Sequence, residues 1–426
     1  MNKASLADLE QVRGLRLLVV SQYFYPEDFR VNGLVERLTE LGAEVTVLTG
    51  LPNYPSGTVH PGYGWRGPWT QSLFGAKVLR VPMVARGSSG RLRLVLNYVS
   101  YAFSACLLGP ARLLGARFDA ILVFQTSPVL AVAPALLIGA IKRAPVLTWV
   151  LDIWPESLQV VGIAPTSPIY RVAGRLSDWL YGKCSRLLLQ SSAYLPILRQ
   201  RRMPEQALVD FPNYAEDLYS STAAADGPPA ELAGILKPGH LTLMYAGNIG
   251  EAQGLEAVLE AAHQLKQEGA PFTWVFLGDG RGLPSLRRRV AELDLEGVIH
   301  LLGRFPQQRM PGFFACADAM LVSLKASQIA ALTVPGRIQS FLAAGKPIIA
   351  TIQGEAADLI ARSSSGLVSE PDDTQALLTN LRQFAAMSAQ ARQRMGENGQ
   401  QYFQAHFRLD GVVARLMATI RHATQR

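Results

Sequence analysis

At 426 residues the chain exceeds what one ordinary hydrophobic core holds, so two domains are expected. Hydrophobic residues make up 49% and charged residues 17%, an apolar balance for a cytosolic enzyme. Cys106, Cys184 and Cys316 stand far apart, which excludes a disulfide framework or a cysteine metal knuckle and fits a reducing compartment. The formal net charge of +8 is unevenly placed: from Val45 to Phe118 there is no Asp or Glu, while Arg66, Lys77, Arg80, Arg86, Arg91, Arg93, Arg112 and Arg117 all fall there.

Met1–Gly14 is polar and the first apolar run, Leu15–Val20, is strand-sized, so no signal peptide is expected. Leu15–Val20 begins an alternation of strands and helices. Phe29–Leu41 reads as an amphipathic helix stopped by Gly42, and Glu44–Leu48 as the second strand. Val78–Pro82, Ala120–Phe124, Val146–Asp152 and Arg186–Gln190 follow as strands, with a helix at Tyr194–Arg199. Two stretches are apolar enough to suggest a membrane span. Ala120–Ile141 divides into a buried strand, the polar turn Gln125-Thr-Ser-Pro128 and a buried helix. Leu92–Leu114 is interrupted by Asn97, Pro110 and Arg112, and so suits an interfacial or packed helix better than a span.

Small residues, Gly and Pro at Ser220–Pro229 mark the expected linker. The pattern then restarts. Strands are expected at Leu241–Ala246, Thr273–Leu277, Val298–Leu302, Ala319–Val322 and Pro347–Thr351. Helices are expected at Leu255–Glu268, Leu286–Leu293, Met310–Cys316, Thr333–Gly345 and Glu355–Arg362, with a helical tail over Thr374–Phe407 and Leu409–His422. Thr333 and Pro335 suit a helix start, and Gly345 and Pro347 a stop. The pattern predicts an α/β chain of two Rossmann-like domains facing across a cleft, with boundaries 1–218 and 219–400. Residues 401–426 are expected to form a helix that packs back on the first domain.

Glycine turns punctuate the second half: Tyr245-Ala-Gly-Asn-Ile-Gly250 with Gly254-Leu-Glu256, then Phe276-Leu-Gly-Asp-Gly280, Gly303-Arg304, and Thr333-Val-Pro-Gly-Arg337 running into Ala343-Ala-Gly-Lys-Pro347. The first half carries Ser21-Gln-Tyr-Phe-Tyr-Pro26, Asn32-Gly33, Leu51-Pro-Asn-Tyr-Pro-Ser-Gly57 and Asp152-Ile-Trp-Pro-Glu-Ser157. In this order, over most of Leu15–Asp372, the motifs resemble those of the retaining GT-B glycosyltransferases of family 4. The chain looks most like the enzymes of colanic-acid, O-antigen and capsule synthesis. The resemblance implies a nucleoside-diphosphate sugar held by the second domain and an acceptor held by the first, with no metal or other cofactor. The donor set it implies is Asn32, Gly33, Gly247, Asn248, Gly278, Asp279, Gly280, Arg304, Thr333, Val334, Pro335, Arg337 and Glu355. Turn amides, a helix N-terminus and Arg337 suit a diphosphate, and the glycines let backbone approach a flat base. Glu355 is placed either to accept from sugar hydroxyls or only to complement its helix dipole.

This chain departs from the family pattern at three points. Leu332 and Ser340 stand where many members carry a pair of Glu residues. Asn248 and Gln253 stand where many carry Arg and Lys, so Arg337 is expected to compensate, with Arg281 or Arg304 behind it. No His follows the strand Ala120–Phe124. Asp152 is the candidate acceptor-facing carboxylate, its alternative being a turn cap. His60 is a candidate acceptor contact. The acid-free segment, with Arg86, Arg91 and Arg93 among interfacial aromatics, predicts an anionic membrane surface as partner. There each cation contributes about 1 kcal/mol; no nucleic-acid module is recognised. The expected activity is transfer to a polyprenyl-diphosphate-linked saccharide at the cytoplasmic face of the inner membrane by a peripheral or monotopic protein. The alternatives are a non-catalytic sugar-nucleotide-binding partner of another transferase and a sugar-nucleotide 2-epimerase of the same architecture.

Overall fold

A computed structural model describes residues 9–87, 90–220 and 227–424. The chain divides into two compact units, residues 1–212 with 409–426, and residues 213–408. The divisions expected at 218/219 and 400/401 therefore lie at 212/213 and 408/409. The reason is local pairing: Ala215 bridges to Arg408 and its amide donates to the Phe407 carbonyl at 3.2 Å, so both ends of the second unit close on each other. Of the expected linker Ser220–Pro229, residues 221–226 lie outside the described residues.

The first unit is an eight-stranded sheet in the order β3-β4-β2-β1-β5-β6-β7-β8. Its strands are β1 (Arg16–Val20), β2 (Glu44–Gly50), β3 (Thr70–Leu73), β4 (Ala76–Val81), β5 (Ala120–Gln125), β6 (Val146–Val150), β7 (Arg186–Leu189) and β8 (Leu208–Asp210). All pairings are parallel except β3 with β4. The central strands bury every residue from β5 to β7, which is why they read as unbroken apolar runs rather than alternating ones.

Five helices cross over between these strands: α1 (Val31–Glu40), α2 (Arg91–Arg112), α3 (Val132–Lys142), α4 (Pro168–Gly182) and α5 (Tyr194–Gln200). α1 buries Val31, Leu34, Val35 and Leu38, one stripe at helical spacing. α2 holds the expected apolar run: Leu92–Arg112 is long and apolar enough to cross a membrane. Its inner face is nonetheless tied to its own unit. Asn97 donates to the Val84 carbonyl at 2.7 Å and accepts from Gln22 at 2.8 Å, the Tyr101 hydroxyl reaches the Leu48 carbonyl, and α3 packs alongside.

The second unit is a parallel six-stranded sheet, β11-β10-β9-β12-β13-β14. Its strands are β9 (Leu241–Ala246), β10 (Phe272–Leu277), β11 (Ile299–Gly303), β12 (Ala319–Ser323), β13 (Ile348–Thr351) and β14 (Gly366–Ser369). Its helices are α6 (Glu256–Gln267), α7 (Leu283–Glu292), α8 (Met310–Ala315), α9 (Gln328–Leu332), α10 (Gly336–Ala343), α11 (Glu355–Arg362), α12 (Thr374–Ala386) and α13 (Ala389–His406). The last helix, α14 (Leu409–Thr424), belongs to the first unit. Asp410 accepts from Arg37 of α1 at 2.8 Å, and the His422 carbonyl accepts from Arg186 of β7 at 2.8 Å.

Two details correct the sequence reading. The helix expected from Thr333 begins at Gly336. Thr333 ends the short helix α9 instead, its hydroxyl donating back to the Ile329 carbonyl at 3.1 Å rather than capping forward. The helical tail breaks at Met387–Ser388, where Ser388 caps α13 through the Ala391 amide. Strands β3, β8 and β14 and helices α4 and α9 were not expected from the sequence.

Candidate functional site

In the second unit three glycine turns stand at the carboxyl ends of the neighbouring strands β9, β10 and β11, and the backbone stitches them together. The Gly247 amide donates to the Leu277 carbonyl at 2.9 Å, Ile249 to Asp279 at 2.8 Å, Gly278 to Gly303 at 2.7 Å, and Gly282 to Ile249 at 2.9 Å. Such close stacking dictates the residue type. Gly278 has φ +146° and Gly280 φ +154°, and a Cβ at either would overlap the carbonyl oxygen of Gly247 or Ile249. The carboxyl edge of a parallel sheet is where open α/β folds bind ligands.

Arg337, in the first turn of α10, reaches this edge from below. Its guanidinium lies 5.1 Å from the centre of the Tyr245 ring, and 3.1 Å from where a Gly247 Cβ would stand. Nη1 of Arg337 is buried with no hydrogen-bond partner. An orphaned, buried, charged donor is costly unless an anion completes it. α10 starts after Pro335, which has no side-chain capping bond, and at that helix start the dipole and the guanidinium favour negative charge together.

The remaining members of the expected donor set divide by location. Asn248 donates from Nδ2 to Gln253 Oε1 at 3.4 Å, and its carbonyl accepts from the Tyr245 hydroxyl at 2.5 Å. Asp279 is exposed, one oxygen taking the Gly280 amide at 2.7 Å, and Arg304 is exposed beside Gly303. Val334 and Pro335 lead into α10, with Val334 buried. Glu355 opens α11 after Gly354, whose φ of +70° and lack of a Cβ admit the Ala331 carbonyl of α9. The Glu355 carboxylate accepts from Arg362 at 2.6 Å, an ion pair within its own helix. At the positions of the missing Glu pair, Leu332 is half-buried and Ser340 is buried.

Asn32 and Gly33 belong to the first unit. Asn32 is wholly engaged in its own loop: Oδ1 takes the Tyr25 amide at 3.1 Å and Nδ2 donates to the Glu27 carbonyl at 2.7 Å. Glu27 in turn gathers the amides of Phe24, Asn53 and Tyr54. Burial pushes its carboxyl above the usual range while those amides and Arg80 oppose the rise. Asp152 takes the Ser127 amide at 2.8 Å, so its carboxylate holds the loop after β5 rather than the turn that follows Asp152 itself. His60 bonds the Tyr54 carbonyl at 2.8 Å and thereby closes the loop Pro52–His60. Arg86 lies over the Tyr54 ring at 5.4 Å and Arg93 is exposed on α2.

Two side chains at the donor edge escaped the sequence reading. Tyr245, the last residue but one of β9, lies under Arg337. Lys325 follows β12, and its stem crosses Gly254, which is left-handed at φ +56° and has no Cβ to obstruct it. The left-handed glycine was legible; the long side chain that requires it comes from another strand.

Residues 240–386 match the family model described as glycosyl transferases group 1. This chain carries a glycosyl transferases group 1 domain. It is therefore a glycosyltransferase, and the curated relatives agree. The chain is 27% identical over 296 residues to a protein of Pseudomonas aeruginosa named as the glycosyltransferase WbjE, covering 68% of this chain and 72% of that one. It is 25% identical over 362 residues to WcaI of Escherichia coli K12, named as a colanic acid biosynthesis glycosyl transferase, covering 82% and 86%. Among solved structures, sucrose-phosphate synthase of Thermosynechococcus elongatus superposes with TM-score 0.72 at 15% identity, over 96% of this chain and 99% of that one. HepE of Anabaena, solved with UDP-glucose, superposes with TM-score 0.66 at 14% identity, over 95% and 98%. The fold class is GT-B, built from two parallel-sheet α/β units.

Proposed function

We propose that this glycosyltransferase of polysaccharide biosynthesis is a retaining enzyme that moves a sugar from a nucleoside diphosphate to a polyprenyl-diphosphate-linked saccharide at the cytoplasmic membrane face. The observation that carries the donor assignment is the orphaned guanidinium nitrogen of Arg337 beside the stitched turns of β9, β10 and β11. A diphosphate supplies the oxygen that this nitrogen lacks, and the glycines leave room for backbone to approach a base.

The chemistry then needs few groups. The bond from the anomeric carbon to the diphosphate oxygen breaks, and the acceptor oxygen bonds to the same face of the sugar. Its proton passes to the departing diphosphate. Arg337 and the α10 dipole stabilise the charge that develops on the leaving group, so the protein contributes mainly position and preorganised charge. No metal has a part in this scheme. The lipid-linked acceptor is assigned to the first unit, whose α2 lies within the acid-free basic segment and exposes Leu92, Leu96, Val99 and Phe103 in one stripe.

The test is turnover of radiolabelled sugar nucleotides with a polyprenyl-diphosphate-linked saccharide, following product stereochemistry. Transfer with retained anomeric configuration is expected. Nucleotide binding without transfer across a broad donor panel, or epimer formation without acceptor, would sink the proposal.

A further inference from the structure

We infer that the segment Val160–Trp179 of the first unit is a bilayer-seating surface addressed to anionic lipid, on a different element from α2. The inference rests on the membrane reading above but places the contact on an element that reading did not use. After the motif Asp152–Ser157 the chain runs through Val160-Val161-Gly162-Ile163-Ala164-Pro165, which carries no charge. Val160 is 71% exposed and Val161 45%. α4 follows, with Ser167 capping it through the Tyr170 amide and Pro168 in its first turn.

α4 has two apolar sides. The inner one buries Leu180 and Tyr181. On the outer side Ile169, Val172, Leu176 and Trp179 recur at helical spacing, exposed at 63%, 65%, 37% and 58%. An outward stripe of large apolar side chains next to an uncharged apolar loop has no role in packing its own unit, and exposed patches of this kind mark contact surfaces. Trp179 at the end of the stripe suits the interfacial belt of a bilayer.

The charges decide the occupant. Arg171 and Arg175 are exposed on α4 and Lys183 just beyond it. The helix's one acid, Asp178, lies 3.6 Å from Arg201. A two-fold contact between copies of this chain through α4 would bring these cations toward one another, whereas anionic headgroups neutralise them. The right-handed crossovers β5–α3–β6 and β6–α4–β7 also put α3 and α4 on one face of the sheet, and α2 packs beside α3 on that face. Leu137 and Ile141 of α3 are exposed there as well. One helical layer of the unit is thus apolar on its outside, and the Asp152 motif runs directly into it.

The experiment is flotation of the full chain with phosphatidylethanolamine–phosphatidylglycerol vesicles, alongside emission of Trp179 against Trp179→Phe with brominated-lipid quenching. The variant Ile169→Ser/Val172→Ser/Leu176→Ser/Trp179→Ser alters exposed side chains only. It is expected to keep the wild-type melting temperature and nucleoside-diphosphate affinity while vesicle binding falls at least about ten-fold. A comparison variant, Arg86→Gln/Arg91→Gln/Arg93→Gln, tests the α2 side and should weaken binding most at low salt. Loss in the second variant with full binding in the first, and unquenched Trp179, would overturn the α4 surface while leaving the membrane reading intact. No binding by the wild-type chain would remove both. A wild-type dimer that the α4 variant converts to monomer would assign the stripe to a second copy and overturn the inference.

Discussion

Arg337 is the residue on which the proposed donor site turns. The spacing of Thr333–Gly345 marks it as a cation near a helix start, and that much is local. That it lies over Tyr245 with an unsatisfied Nη1 depends on β9 lying beside β12, which no local pattern encodes. Replacing it with Ala should weaken binding of a nucleoside diphosphate by roughly 1.5–3 kcal/mol, the range for a hydrogen bond to a charged group. Isothermal titration checks this, and Arg337→Lys should recover only part, because an ammonium lacks the planar fork. Unchanged affinity in Arg337→Ala would take the residue out of the site. Asp152 and Asn32 carry the opposite lesson. The sequence offers Asn32 as a donor contact and Asp152 as either an acceptor-facing carboxylate or a turn cap, and in the structure both side chains hold loops through backbone partners. A short polar side chain at a strand end reads alike in either role, since what distinguishes them is a partner distant in sequence.

At the scale of elements, the buried parallel strands were legible because each is a short, continuous apolar run bounded by turn residues. The strands that escaped lie at sheet edges or are short: β3 pairs on one side only and alternates exposed with half-buried residues. α4 escaped because apolar residues on both its sides blur the helical stripe on which such a reading depends. Edge strand β11 carries a pH response. His300 has a buried Nε2 without a partner, and burial, with Lys237 nearby, holds its imidazole below the ordinary value of 6.5. The folded ring thus takes up its proton at a lower pH than the unfolded chain, whose imidazole titrates near the ordinary 6.5. Stability is therefore complete above that pH and declines as pH falls beneath it. Thermal melts of wild type and His300→Leu across this range should diverge, the variant showing the flatter profile. Parallel curves would assign the acid sensitivity elsewhere.

At the scale of the whole molecule, the chain leaves the first unit at Pro212, builds the second, and comes back through α14. α14 buries Val412, Val413, Leu416, Met417 and Ile420 against the first unit. At about 1.5–3 kcal/mol for each buried large aliphatic side chain, as an upper bound, their combined loss is comparable with the whole stability of an ordinary domain. A chain ended after Arg408 should lose the cooperative melt of the first unit in calorimetry yet keep nucleoside-diphosphate binding by the second. Loss of both together would show that the units do not fold independently.

By itself the sequence determined the two α/β halves, the order of their glycine turns and the family those turns belong to, because each is written in contiguous residues whose period and backbone demands are local. Tertiary structure decided which of those residues meet at the carboxyl edge of the second sheet and which bond to partners distant in sequence. It set the turns so close that a Cβ at Gly278 or Gly280 would overlap a neighbouring carbonyl, left Nη1 of Arg337 without a partner, and tied Asp152, Asn32 and His60 to backbone partners. It also turned an unrecognised helix's apolar stripe toward the outside. Those outcomes depend on side chains and carbonyls brought together from distant strands, and burial and partnership are properties of that assembly rather than of any segment.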